Sequence, residues 1–125
     1  MTTPAASGKK ILIVDDDENI IKVVQAQLEF GGFQVFSAKN AHGMLLAISQ
    51  SDYHAVLLDL GLPDMDGLEA LKKLKNFKPN LPVIIVTGNH EEEKGRQAMA
   101  LGAWDYITKP IDFKYLRNIL LIQSQ

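Results

Sequence analysis

No cysteine occurs among the 125 residues. That absence removes disulfides, thiolate nucleophiles and cysteine-ligated metals together. Long hydrophobic runs are missing too. The longest reach four or five residues, far short of the roughly 20 that span a bilayer. Neither sign of charge dominates: 13 Lys and Arg stand against 15 Asp and Glu, a formal net charge of −2. Such a balance gives no basic surplus for nucleic acid or for an anionic membrane. The opening M-T-T-P-A-A-S-G-K-K lacks the apolar stretch of a secretory signal. Residues 1–8 are expected to form a flexible lead-in, and 9–125 one folded domain. The chain's 46% hydrophobic and 22% charged residues are ordinary for a soluble globular domain with a proper core, and a cytoplasmic location is expected.

Short apolar runs recur along the chain, with helical patterns between them. Strands β1 to β5 are expected near 10–14 (K-I-L-I-V), 34–38, 54–59, 82–87 (P-V-I-I-V-T) and 104–108 (W-D-Y-I-T). The first, third and fourth are continuously apolar, as strands covered on both faces of a parallel sheet are. The second and fifth are mixed, which suits edges. Helices α1 to α5 are expected near 18–30, 41–50, 67–77, 91–101 and 112–122. In α1, Ile20, Val23, Val24 and Leu28 form one apolar stripe. Gly31 follows where a left-handed residue ends a helix at little cost, and Gly102 does the same after Leu101. Phe113, Leu116, Ile119 and Leu120 make the inward face of α5.

Five strands alternating with five helices imply a (βα)5 doubly wound parallel sheet, a flavodoxin-like three-layer α/β sandwich. A common strand order for it is 2-1-3-4-5. Its ligand crevice lies beyond the C-terminal strand ends, where the order reverses between β1 and β3. The residues at those ends carry chemistry. β1 runs into Asp15, Asp16 and Asp17; β3 ends at Asp59, β4 at Thr87, and β5 at Thr108-Lys109-Pro110. Several carboxylates in one small site raise a pKa or demand a cation. All-oxygen ligands suit a hard divalent ion, Mg²⁺ above all, with Mn²⁺ as a substitute. A lysine and a hydroxyl converging on the same carboxylate point further, to phosphoryl transfer with Asp59 as nucleophile.

The set V-D-D-D (14–17), L-L-D-L-G-L-P-D-M-D-G (57–67), V-T-G (86–88) and Y-I-T-K-P (106–110) resembles the receiver domain of bacterial two-component response regulators. The four motifs stand in the family's order and spacing, and the resemblance extends over nearly the whole chain, from Lys10 to about Gln123. The resemblance implies that Asp59 is the phosphoacceptor and Asp16 a direct Mg²⁺ ligand, with Asp15 its acidic partner. It implies a further metal ligand in the Gly61 backbone carbonyl, a switch hydroxyl in Thr87, and a phosphoryl-pairing ammonium in Lys109. Tyr106 matches the aromatic whose rotamer reports the switch on the α4-β5-α5 face, and the Lys109–Pro110 peptide is expected to be cis. Gly61 and Asn89, two residues after Asp59 and Thr87, occupy positions that tune dephosphorylation; Gly61 has no side chain, so Asn89 is expected to matter more. The implied partners are a histidine kinase or phosphotransfer protein and an output domain or protein. The family also allows a phosphorylation-dependent dimer. Direct nucleic-acid or membrane binding is not implied.

Other readings fit less well. A phosphohydrolase of the haloacid dehalogenase type needs two aspartates two residues apart after β1, whereas Asp15 and Asp16 are adjacent. A flavin carrier needs a Ser/Thr-rich phosphate loop there, and four acids would repel a phosphate. A degenerate receiver would lack one of the five site residues. Asp17 is expected to cap α1, and Asp64 and Asp66 to shape a turn and start α3. The acids 91–93 favour a helix N-terminus. His42, His54 and His90 show no metal-ligand pattern, and Trp104, Met44, Met65 and Met99 read as packing. No effector segment follows α5 in the sequence. The chain is expected to be either a stand-alone receiver or part of a longer regulator.

Overall fold

The computed structural model describes residues 8–88 and 91–123. The expected lead-in therefore lies outside the described residues, save Gly8. Strands β1 (Lys10–Val14), β2 (Gln34–Ala38), β3 (Ala55–Asp59), β4 (Val83–Thr87) and β5 (Asp105–Thr108) alternate with five helices. These are α1 (Glu18–Phe30), α2 (Ala41–Gln50), α3 (Gly67–Phe77), α4 (Glu92–Ala100) and α5 (Phe113–Gln123). All pairings are parallel, in the order β2-β1-β3-β4-β5. The fold is the expected flavodoxin-like sandwich, with boundaries shifted by a residue or so.

Side chains of a strand alternate between faces, and the core divides accordingly. Ile11, Ile13, Leu57 and Ile84 pack with α1 and α5 on one face. Leu12, Val14, Val56, Leu58 and Ile85 pack with α2, α3 and α4 on the other. Every residue of β3 and β4 is buried, while β2 and β5 at the edges are mixed.

Two details of α1 correct the expectation. Its buried face is Ile21, Val24 and Leu28; Ile20 packs at the margin, and Val23 is 50% exposed. Ile20 and Ile21 satisfy the same helical spacing with Val24 and Leu28, so period alone does not choose between them. The left-handed residue after α1 is Gly32 (φ 98°), not Gly31 (φ −81°). Gly102 (φ 102°) is left-handed as expected.

Caps fix where helices begin. Asp17 Oδ1 accepts the Asn19 N–H at 2.9 Å, and Asp66 Oδ1 accepts the Leu68 N–H at 3.3 Å. Immediately after Asp66 the chain passes so close to its own loop that a Cβ on Gly67 would lie 2.4 Å from Leu60 Cα and 2.5 Å from Leu60 O. Backbone cannot yield as a side-chain tip can. Gly67→Ala is expected to lose about 1–3 kcal/mol of unfolding free energy in urea. Gly61→Ala, whose Cβ would meet only Asp59 Oδ1 at 3.7 Å, should stay within about 0.5 kcal/mol of wild type. Equal stability of the Gly67 variant and wild type would refute the crossing as a constraint.

Candidate functional site: an acidic crevice at the strand ends

The crevice follows from register. β1 and β3 pair up to Val14↔Leu58, and one residue further along each strand stand Asp15 and Asp59. In-register parallel strands thus set two carboxylates side by side. Asp15, Asp16 and Asp59 each place a carboxylate oxygen within 4.8 Å of the others. Asp15 and Asp59 are only 3% and 9% exposed, while Asp16 faces solvent. Lys109, just beyond β5, reaches across with Nζ 3.5 Å from Asp59 Oδ2 and 3.6 Å from Asp15 Oδ2. The Gly61 N–H donates to Asp59 Oδ1 at 3.1 Å, and the Asp17 N–H to Asp15 Oδ1 at 2.9 Å.

This crowding has an electrostatic signature. Burial pushes the Asp15 carboxyl up to about 6; the Asp17 N–H opposes that, and the neighbouring Asp59 charge adds to it. Burial alone would lower the Lys109 ammonium, but the Asp59 and Asp15 carboxylates outweigh it and hold its pKa above the ordinary lysine value. One ammonium therefore serves two buried acids. The donor set is all hard oxygen, and the repulsion within it is what a divalent cation relieves. The three aspartates fit a hard dication such as Mg²⁺, and the exposed Asp16 leaves one side of the set open to solvent.

Thr87 ends β4 and is 1% exposed. Its hydroxyl donates to the Ile107 carbonyl at 3.4 Å, so it is turned toward β5. The Lys109 N–H donates to the Thr87 carbonyl at 2.8 Å, and the Lys109–Pro110 peptide is cis as expected. Tyr106 lies on β5 opposite Ile85 and is half-buried. Its ring rests on the backbone of α4: a Cβ on Gly95 would fall 2.6 Å from Tyr106 Cδ2 and 2.9 Å from Cε2 and Cγ. Nothing in the sequence marks Gly95 as a socket, because only the tertiary fold brings α4 and Tyr106 together.

The structure thus gathers Asp15, Asp16, Asp59, Gly61, Thr87 and Lys109 at one end of the sheet, with Tyr106 at the flank beside α4. Asn89 and His90 lie outside the described residues. His54 Nδ1 accepts the Lys10 N–H at 2.9 Å, and His42 contacts Asp64. Asp64 is more than a turn residue. Its oxygens accept the Ala41 and His42 N–H groups at 2.9 and 3.1 Å, at the start of α2, more than 20 residues earlier in the chain. No local pattern announces such a contact. Met44 is buried, Met65 packs at the core margin, and Met99 and Trp104 are 40% and 50% exposed.

A flavodoxin-like domain whose switch-point crevice holds three aspartates and one lysine defines a class before any relative is considered. Comparison gives that class its name. The chain belongs to the response regulator receiver domain family, whose model matches residues 11–121. It is 37% identical over 110 residues to the transcriptional regulatory protein ZraR of Klebsiella oxytoca, covering 88% of this chain and 25% of that one. It is also 37% identical over 103 residues to the alkaline phosphatase synthesis transcriptional regulatory protein PhoP of Bacillus subtilis, covering 82% and 43%. Among solved structures, the receiver domain of NtrX from Brucella abortus superposes with a TM-score of 0.88 at 32% identity, covering 91% and 97%. A CheY-like receiver domain protein from Methanospirillum hungatei gives 0.85 at 36%, covering 94% and 98%. The chain spans about a quarter of the ZraR proteins and under half of PhoP. It is a signalling domain of the two-component type.

Two predictions follow from the geometry. With divalent cations chelated, ionised Asp15 opposes folding, because its folded pKa of about 6 lies above its ordinary value of 3.8. The folded state holds the proton longer, so this contribution favours folding at low pH and is lost as pH rises through about 6. Asp15→Asn keeps an acceptor for the Asp17 N–H and should be about 1–2 kcal/mol more stable than wild type at pH 7.5, with no advantage near pH 3.5. Denaturation across that range checks it; a variant less stable at pH 7.5 contradicts it. For Gly95→Ala, helix propensity alone predicts a gain of about 1 kcal/mol. The ring contact cancels it, so the variant should be no more stable than wild type, and NMR should find the Tyr106 ring displaced. A full propensity gain with the ring in place would be the opposite result.

Proposed function

We propose that this domain is a phosphorylation-operated switch. A histidine kinase or phosphotransfer protein supplies the phosphoryl group, Asp59 accepts it in a Mg²⁺-dependent reaction, and the α4-β5-α5 face passes the state to an output partner or domain. One observation carries the proposal: Asp59, at the end of a fully buried strand, has two carboxylates within 4.8 Å and the Lys109 ammonium at 3.5 Å. The proposal covers residues 9–125 as the working unit and places it in the cytoplasm.

In the transfer, the P–N bond of a phosphohistidine breaks and its electron pair stays on nitrogen. A P–O bond forms to one Asp59 oxygen, giving an acyl phosphate, which water later hydrolyses. Asp15, Asp16 and Asp59, with the Gly61 carbonyl, would hold the Mg²⁺. When bound, the ion offsets charge on the phosphoryl oxygens. β3 holds Asp59 rigidly for in-line attack. Lys109 exchanges its carboxylate contacts for a phosphoryl oxygen, and the Thr87 hydroxyl leaves the Ile107 carbonyl to donate to another. That movement withdraws a contact from β5 beside Tyr106 and biases the face between two states, a local charge event with a distant readout. The relatives named as transcriptional regulatory proteins support transcription as the output class of a longer protein bearing this domain.

Incubation with Mg²⁺ and acetyl phosphate, followed by intact mass measurement, tests the central step. Wild type should gain one phosphoryl group, and neither Asp59→Asn nor chelated wild type should gain any. No gain in wild type, or a gain that survives Asp59→Asn, overturns the proposal.

A further inference from the structure

The loop between β3 and α3 carries Gly61 past the crevice; besides the margin packing of Leu62 and Met65, polar and backbone contacts fasten it on two sides. On the strand side, the Leu60 N–H donates to the Val86 carbonyl at 3.4 Å, and Leu60 backbone lies hard against Gly67. On the other side is Asp64, three residues after Gly61. Its Oδ1 accepts the Ala41 N–H at 2.9 Å and its Oδ2 the His42 N–H at 3.1 Å; the His42 imidazole closes on the same oxygen. These are the first two amides of α2, which have no partner within their own helix. α2 also has a local cap, since Asn40 Oδ1 accepts the Gly43 N–H at 2.7 Å. The helix start is thus held by two side chains of different kinds: Asn40 belongs to α2, whereas Asp64 belongs to the crevice loop.

We propose that Asp64 is a positioning residue for the acidic crevice: by tying the β3–α3 loop to the start of α2, it fixes Gly61 beside Asp59. This rests on the proposed role of the Gly61 carbonyl as a metal ligand. Gly61 has no side chain with which to hold itself, and its N–H bond to Asp59 Oδ1 constrains only one side of the residue. The tie is charge-assisted and stays ionised: the Ala41 N–H, with that of His42, brings the Asp64 carboxyl down to about 2. A loop released at Asp64 keeps its Leu60 anchor, the Gly61 N–H bond and the margin packing of Leu62 and Met65, but loses its charge-assisted tie to α2. Metal sites are sensitive to such outer supports, whose loss costs about 10–100-fold in affinity.

Asn40 supplies the control, because it caps the same helix through a bond to Gly43, inside α2 itself. Mg²⁺ affinity by calorimetry and melting temperature are measured on the full chain for wild type, Asp64→Ala, Asp64→Asn and Asn40→Ala. Both alanine variants should melt at lower temperature. Only Asp64→Ala should bind Mg²⁺ about tenfold more weakly. Asp64→Asn, which keeps an acceptor for the Ala41 N–H, should fall between it and wild type and still reports if the alanine variant does not fold. Unchanged Mg²⁺ affinity in the Asp64 variants, or equal weakening in Asn40→Ala, overturns the proposal and leaves Asp64 a helix cap. Wild type that binds no Mg²⁺ overturns the proposed metal site itself, a result distinct from either.

Discussion

Two carboxylates are forced together by strand register, and one ammonium balances them. Asp15 and Asp59 follow Val14 and Leu58, the last pair between β1 and β3; both are buried, with Lys109 about 3.5 Å from each. The spacing of their backbones belongs to the sheet, so the two acids stay neighbours. Burial and like charge make this crevice a place where an added dication or a charged group has a large effect on its surroundings. The sheet provides the rigidity: β3 and β4 are buried along their whole length, and hydrophobic packing on both faces holds the acids against their repulsion.

The path from crevice to surface is short. Thr87 and Lys109 share a backbone hydrogen bond, and the Thr87 hydroxyl leans on the Ile107 carbonyl, next in chain to Tyr106. Tyr106 in turn lies against Gly95 of α4. That helix is lightly anchored: only Gly95 and Ala98 are buried, and no side chain caps its start. On the proposed function, a change in the Thr87 hydroxyl's partner need propagate only through β5 to reach α4, the helix with the fewest buried residues. Such an element is well suited to having two arrangements of similar free energy.

Much of this was legible in the sequence, for reasons that differ by residue. Continuous apolar runs located β1, β3 and β4, and the alternation with helical periods set the topology. The switch-point rule then placed Asp15, Asp59, Thr87 and Lys109 together. Local chemistry identified Asp17 and Asp66 as caps. What escaped was non-local or degenerate. Ile20 and Ile21 fit the same helical stripe, and only packing buries Ile21 more deeply. Gly31 and Gly32 are both permissive, and chain geometry gives Gly32 the left-handed turn. Asp64 bonds to residues more than 20 positions away, and the needs of Gly67 and Gly95 come from backbone and ring contacts that no sequence pattern encodes.

Family membership fixes the domain's class but leaves its chemistry to be established on this chain, since the regulators it matches are two to four times longer. The sharpest discriminator is the Thr87 hydroxyl, which has one partner here and another in the proposed phosphorylated state. A crystal structure of the protein with Mg²⁺ and trifluoroberyllate, a stable mimic of an acyl phosphate, would read it directly. The expected result is fluoride-bearing beryllium on Asp59, Lys109 Nζ and Thr87 Oγ1 each bonded to a fluorine, and the Ile107 carbonyl released. The mimic bound elsewhere, or bound to Asp59 with Thr87 still on the Ile107 carbonyl, would contradict the switch.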